Sequence, residues 1–371
     1  MSESKKPRVA VVFGGRSSEH AVSCATAASV LSAIDRETYD VVPIGISVDG
    51  KWVLESDDAE HLSLRPGHIP AVDPGGTSIV LSHDPSRRDL VVNEPGRPPH
   101  QLGEVDVVFP LLHGPWGEDG TIQGLFEMAG VRYVGSGVLA SAVGMDKHYM
   151  KMVLAAHAIP SMPYVVIKPR EWDDDAAASR EAVEALDYPV FVKPARGGSS
   201  LGISKVSDRA DLDAAIDHAR GFDPKVLVEA SAEGAREVEC GVLERLAGGA
   251  DASMVAEITN YGGHEFYDFE AKYLGEEGVT LEVPARLPGE TTNDIQRFAV
   301  AAFEALECEG LARVDFFCWP DGRIVINEIN TMPGFTPSSM YPRMWAKSGV
   351  DYAELVDRLI ELALRRRTGL R

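Results

Sequence analysis

Short unbroken apolar runs, each ending at glycine or a polar loop, recur along the chain. Val9 to Phe13 is wholly apolar and stops at Gly14-Gly15; Ser17-Ser18 and an Ala-rich stretch to Ile34 follow. An apolar run bounded by glycine suits a strand buried on both faces, and the Ala-rich stretch suits a helix. This predicts strand, tight loop and helix in succession. Val41 to Val48 and Val105 to Leu112 repeat the apolar run, so an α/β unit with parallel strands is expected first.

Residues 55 to 104 break the pattern with Arg65-Pro-Gly67 and Asp73-Pro-Gly-Gly76, which predicts loops and a small surface hairpin. Arg170 to Arg180, with Asp173-Asp-Asp175, reads as a solvated loop passing into a helix, since acidic residues favour helix N-termini. Strands flank a Gly/Ser-rich loop between Tyr188 and Val206, and Lys225 to Glu229 is another short strand, together a small α+β module. From Glu237 onward β-rich segments lead to Arg313-Val-Asp-Phe-Phe317 and Ile324-Val-Ile-Asn-Glu-Ile329, and a final amphipathic helix runs from about Tyr352 to Arg366.

The length of 371 residues exceeds one core of about 150 residues, so two or three domains are expected. With 57 acidic and 36 basic residues the net charge is −21, which repels nucleic acid and anionic membranes. Any anionic substrate therefore needs lysines and arginines concentrated in a cleft. Cys24, Cys240, Cys308 and Cys318 form no CxxC pair, and no apolar run is long enough for a membrane span. A reducing cytoplasm is the expected setting.

Four constellations could carry chemistry. Arg313/Asp315 and Glu328/Asn330 are pairs two residues apart in strands, so each pair shares a face. From neighbouring strands they would offer three oxygen ligands and a guanidinium, a set that suits Mg²⁺ bridging phosphates. A cross-strand salt-bridge set on an exposed sheet is the alternative for such residues in isolation; the apolar context and the turn Asn330-Thr-Met-Pro-Gly334 favour a site. The second is the strand and loop from Phe191 through Lys193 to Ser199-Ser200-Leu-Gly202, where backbone N–H groups and hydroxyls could approach an oxyanion, although a flexible hairpin fits equally and no Walker A order is present. The third, Glu265 to Lys272-Tyr273, is otherwise a surface loop. The fourth, His113-Gly-Pro-Trp-Gly-Glu-Asp-Gly120, follows an apolar run as Gly14 to Glu19 does, where open α/β sheets collect ligands. No Ser/His/Asp or Cys/His arrangement with recognisable spacing is present, so nucleophilic hydrolysis is not indicated.

In order, the segments FGGRSSEHAVS, LLHGPWGEDGTIQG, GMDKHYMK, FVKPARGGSSLGISKV, REVECGVL, FYDFEAKY, ARVDFF and NEINTMPGFTPSSM resemble the D-alanine–D-alanine ligases of the ATP-grasp superfamily over nearly the whole chain. The resemblance implies an α/β and α+β architecture in three domains, at residues 1–140 (N-terminal parallel α/β), 141–230 (central ATP-grasp) and 231–371 (C-terminal catalytic). It implies ATP as co-substrate, two Mg²⁺ ions with Mn²⁺ as a substitute, possible K⁺ activation, D-alanine as substrate, a homodimer, and a place in cell-wall precursor synthesis.

Carried over by position, Lys147 and Lys193 would contact ATP phosphates, Glu229 would lie at the adenine hinge, Glu237 would bind ribose, and Ser200 and Lys272 would also bind ATP. Asp315, Glu328 and Asn330 would hold the metal ions. Glu19 would hold the ammonium of the first D-alanine, with Ser199 and Tyr273 linked to it to close loops over the site. Arg313 and the backbone of Gly334 would stabilise the tetrahedral intermediate, Ser339 and Met340 would face the second D-alanine, and His113 the first. Tyr273 favours an amine over a hydroxyl acceptor, because relatives using D-lactate often carry histidine there. Ala230 departs from members with lysine after the hinge glutamate. Two other readings are an ATP-grasp ligase with another acceptor, opposed by Glu19, Tyr273 and Ser339, and an inactive nucleotide-binding regulator, which has no need of Arg313.

Overall fold

In the computed structural model, which describes residues 5–56, 59–65, 67–260 and 279–369, the chain opens with β1 (Arg8–Gly14), α1 (His20–Ala33), β2 (Asp40–Ile46), β3 (Trp52–Leu54), β4 (Thr77–Leu81), β5 (Asp89–Asn93), β6 (His100–Glu104), β7 (Val107–Pro110), α2 (Thr121–Met128), β8 (Arg132–Tyr133), α3 (Val138–Met145) and α4 (Lys147–Ala156). These strands make one sheet in the order β6-β5-β4-β3-β2-β1-β7-β8. The expected parallel pairing is found in one half of it, β1 with β2 and β7, and β7 with β8 at the edge.

The rest of that sheet corrects the reading of residues 55–104 as loops with a surface hairpin. β3 to β6 pair antiparallel in succession and extend the main sheet, and Ile79, Leu81, Leu90 and Val92 are buried in its core. Alternation along β4 and β5 puts these residues on one face; abundant Pro, Gly and Arg in the turns masks it.

A second, antiparallel sheet comprises β9 (Tyr164–Ile167), β10 (Val190–Pro194), β11 (Ser204–Val206) and β12 (Val226–Ala230), in the order β11-β10-β12-β9. It is accompanied by α5 (Pro169–Asp174), α6 (Ala176–Val183) and α7 (Leu212–Arg220). The helix expected toward Arg180 is α6, but the solvated loop expected before it is the short helix α5: Pro169 opens α5, and Asp175 caps α6 by accepting from the Ala178 N–H at 3.0 Å.

The third sheet holds β13 (Arg236–Glu244), β14 (Ala250–Ala252), β15 (Ala256–Asn260), β16 (Val279–Glu282), β17 (Leu311–Cys318) and β18 (Ile324–Asn330), with β14 on β13 and the others in the order β16-β15-β13-β17-β18. α8 (Gly289–Ala305) packs on it, and α9 (Met340–Lys347) and α10 (Tyr352–Arg365) end the described chain. Among the described residues no helix is long and apolar enough to cross a membrane.

The sheets share cores. Val9, Val11 and Phe13 of β1 pack between α1 and Leu355, Leu359 and Ile360 of α10, while Ala10 and Val12 face Phe126 and Tyr133 on the other side. Burial on both faces is why β1 is a continuous apolar run. Tyr39 donates to Asp357 at 2.6 Å, fixing α10 to the first sheet. All four cysteines are buried free thiols, and burial pushes those of Cys24, Cys240 and Cys308 up to about 12.

Candidate active site

A cleft of about 680 Å³ is lined by Glu19, His113, Lys147, Ser199, Arg313, Glu328, Asn330, Gly334, Ser339 and Met340. These residues are drawn from positions 19 to 340 of the chain, and they sit on strands, helix starts and connecting loops. Lys193, Ser200, Glu229, Glu237 and Asp315 are not on that lining. Lys272 and Tyr273 lie outside the described residues.

Glu19 stands at the N-cap position of α1, immediately after the loop that ends β1. Ser17 Oγ donates to the His113 carbonyl at 2.7 Å and accepts from the Glu19 N–H at 3.2 Å, so the loops after β1 and β7 hold each other. The second loop can approach because residue 114 is glycine: its φ is +74°, and a Cβ there would lie 2.5 Å from Glu19 Oε2. Ser199 Oγ donates to Glu19 Oε1, joining the Gly/Ser-rich loop to the same carboxylate. Ser199 and Ser200 both hold left-handed backbone, φ 51° and 57°, a conformation that costs energy in non-glycine residues and recurs where a loop must be aimed.

His113 is buried between Thr26 Oγ1 at 3.3 Å from Nε2 and Glu118 Oε1 at 3.4 Å from Nδ1. Burial, the largest influence, works against a charged imidazole, yet Glu118 and Glu19 together outweigh it and raise the His113 pKa. Burial likewise raises the Glu118 carboxyl, against the pull of His113.

Lys147 and Lys151 project from one face of α4, and Lys147 lines the cleft. Lys147 Nζ donates to the Gly197 carbonyl at 2.8 Å and lies 3.4 Å from Glu328 Oε2. Lys151 is 1% exposed and pairs with Glu229 Oε1, while Lys193 donates to Glu229 Oε2 at 2.5 Å. Glu229 of the second sheet is thus clasped by two ammonium groups. Burial pushes its carboxyl up, but Lys193 and Lys151 outweigh burial and hold it below the usual range.

The strand pairs predicted to converge do so. Arg313 pairs in register with Asn330, and Asp315 with Glu328. Arg313 donates from Nε and Nη2 to the two Asp315 oxygens at 2.7 Å each, and Asn330 Nδ2 donates to Asp315 Oδ2 at 3.0 Å. Glu239 of β13, directly opposite Asp315 across the strand pair, also reaches Arg313, with 3.2 Å between Oε2 and Nε. Although burial is the largest influence and disfavours a charged guanidinium, these carboxylates hold Arg313 firmly protonated. Glu237, two residues before Glu239 in β13, is exposed. Ser339 is the N-cap residue of α9, 2.8 Å from Thr336 Oγ1, and Met340 follows it into the helix.

The family profiles described as D-ala D-ala ligase N-terminus and D-ala D-ala ligase C-terminus match residues 8–136 and 153–361. The chain belongs to the D-alanine–D-alanine ligase family.

Ligases of this family with high similarity include the D-alanine–D-alanine ligase of Streptomyces griseus, 58% identical over 99% of this chain and 95% of that protein, and that of Kineococcus radiotolerans, 58% identical over the full length of both. Among solved structures, the VanG D-Ala:D-Ser ligase from Enterococcus faecalis superposes with a TM-score of 0.83 at 36% identity, covering 97% of this chain and 100% of that one. The D-alanine–D-alanine ligase from Coxiella burnetii gives 0.80 at 32% identity, over 97% and 94%. The ATP-grasp architecture read from the motifs is the one found, and the chain is a ligase. Three residues, Lys151, Glu118 and Glu239, fall inside the quoted motifs but receive no role in the sequence reading. Lys151 follows Lys147 by one helical turn, and Glu239 follows Glu237 by one strand period; those spacings are the signals that could have pointed to them.

Proposed function

We propose that this chain joins two D-alanine molecules through an acyl phosphate made at the expense of ATP, with the residue roles that follow. What supports this most is that Glu19, Ser199 and Arg313, from three different sheets or their loops, line one cleft with Glu328 and Asn330. Glu19, buried at a helix start and held by Ser199, suits an ammonium group. Arg313, beside the cleft and fixed by two carboxylates, suits an oxyanion. Lys147 and Lys193 concentrate the positive charge that a chain of net charge −21 needs to receive a nucleotide.

Asp315, Glu328 and Asn330 fit a magnesium ion. Among the described residues no three His, Cys, Asp or Glu side chains form a complete metal cage, and Mg²⁺ is typically held by one or two carboxylates together with water and phosphate oxygens. When bound, Mg²⁺ supplies neutralisation of phosphate charge. The first carboxylate attacks the γ-phosphorus with ADP departing, Lys147 and Lys193 facing the phosphates. The neutral amine of the second D-alanine attacks the acyl carbon, Arg313 and the Gly334 N–H facing the oxyanion, and phosphate leaves as the amine loses its proton. Positioning and electrostatics supply most of the acceleration.

Division at about residues 140 and 230, Glu229 at the adenine, Glu237 at the ribose, Ser200 and Lys272 at the nucleotide, and Tyr273 in loop closure belong to the same proposal. So do His113 toward the first substrate, Ser339 and Met340 toward the second, cytoplasmic placement, Mn²⁺ substitution, K⁺ activation and a homodimer. Exposed Met128 and Leu139 on the neighbouring helices α2 and α3 give a dimer an apolar surface to cover.

Phosphate release from ATP and Mg²⁺ should depend on D-alanine, fail with L-alanine, and yield D-alanyl-D-alanine by mass. Offered D-alanine with D-lactate or D-serine, the chain should still form chiefly the D-alanine dipeptide; a depsipeptide or a mixed D-alanine/D-serine dipeptide as main product would overturn the acceptor assignment.

A further inference from the structure

Arg313 is held by two carboxylates, and only one of them belongs to the metal-ligand set. Asp315 stands opposite Glu239 across the β13/β17 pair, and Arg313 stands opposite Gly241, which offers no side chain. Both acids therefore reach the guanidinium from one face of the sheet. Asp315 already accepts three N–H groups, from Arg313 Nε, Arg313 Nη2 and Asn330 Nδ2. A carboxylate has about four acceptor positions, so a divalent ion at Asp315 draws on the oxygens that Arg313 uses, and its charge repels the guanidinium. A largely buried guanidinium that loses one anion must keep another or be expelled. Glu239 is 6% exposed and lines the cleft.

We propose that Glu239 is a positioning residue, the anchor that keeps Arg313 aimed at the reacting carbonyl once Asp315 turns to the metal ion. This rests on the ligase reading above and adds to it a residue needed for the second half of the reaction. Glu239 acts through Arg313, so its loss should spare formation of the acyl phosphate and impair its capture by the amine. Acyl phosphate that is not captured reacts with water, releasing phosphate without dipeptide.

The test compares Glu239→Gln and Glu239→Asp with the wild-type chain by counting phosphate released per dipeptide formed, and by titrating Mn²⁺ into each protein with ADP by electron paramagnetic resonance. Dipeptide turnover of Glu239→Gln should fall on the order of tenfold to a hundredfold, the cost of a misplaced catalytic group. Phosphate per dipeptide should rise above unity, Mn²⁺ affinity should stay within about twofold of wild type, and Glu239→Asp, which keeps the charge, should restore most of the coupling. A ratio that stays at unity in Glu239→Gln would overturn the proposal. So would loss of Mn²⁺ affinity matching that of Asp315→Asn, which would make Glu239 a metal ligand instead. Failure of the ligase reading shows separately, as a wild-type chain that forms no dipeptide.

Discussion

Glu229, proposed above to lie at the adenine, is in the folded chain first of all a buried ion-pair centre. Its carboxylate is 2% exposed between Lys151 and Lys193, and removing one partner from such a buried set leaves the others uncompensated, at a cost of about 3 kcal/mol. Its folded-state pKa is depressed from 4.5 by the two lysines, against burial. The stability this supplies is fully present above the unfolded-state value of 4.5 and is lost as pH falls through the lower folded-state value. Thermal melts across that acid window should show Glu229→Gln starting lower and losing less than wild type; parallel losses in the two proteins would mean that Glu229 is not the titrating group. Lys193 and Glu229 meet across neighbouring strands two residues out of register, whereas Lys151 comes from a helix; the sequence singles out Lys193 for its place before the Gly/Ser-rich loop and points to neither pairing.

At the scale of the element, α4 carries Lys147 and Lys151 and is aimed by its cap. Asp146 Oδ1 accepts from the His148 and Tyr149 N–H groups at 3.1 and 3.3 Å, and Oδ2 pairs with Lys225. The Lys147 N–H donates to the Ala195 carbonyl at 2.9 Å, so the start of the helix is also the foot of the Gly/Ser-rich loop. Asp146→Ala should cost about 1 kcal/mol for the cap and raise KM for ATP through displacement of Lys147, while Asp146→Asn, which keeps the cap, should recover most of the stability. Equal ATP KM values in all three proteins, measured at saturating D-alanine, would separate the cap from nucleotide binding. Elements with continuous runs, such as β1 and β7, were legible because burial on both faces leaves one pattern. β4 to β6 were not, because their alternation is short and interrupted by turn residues.

Across the whole molecule, the first and last parts of the chain are one structure. Leu359 of α10 is 1% exposed in the core that holds β1 and α1, and Arg366 donates to the Gly135 carbonyl at 2.6 Å and to Glu244 at 2.8 Å, tying the end of α10 to the first and third sheets. Leu359→Ala should cost about 3 kcal/mol and lower the unfolding midpoint of the first sheet together with that of the third. Hydrogen exchange that loosens α10 while leaving β1 protected would show the cores to be independent. The cleft lies among these sheets, so their packing bears directly on the distance from Glu19 to Arg313.

By itself the sequence determined the strands with continuous apolar runs, the family, and the pairs Arg313/Asp315 and Glu328/Asn330, because each is a local matter of period, punctuation or motif. Tertiary structure alone decided that β13 lies beside β17 and brings Glu239 to Arg313, that Lys151 of α4 meets Glu229 of β12, and that α10 closes the first sheet's core. Those contacts join residues tens to hundreds of positions apart, and no local periodicity encodes which distant faces meet; burial and charge pairing in the folded chain do.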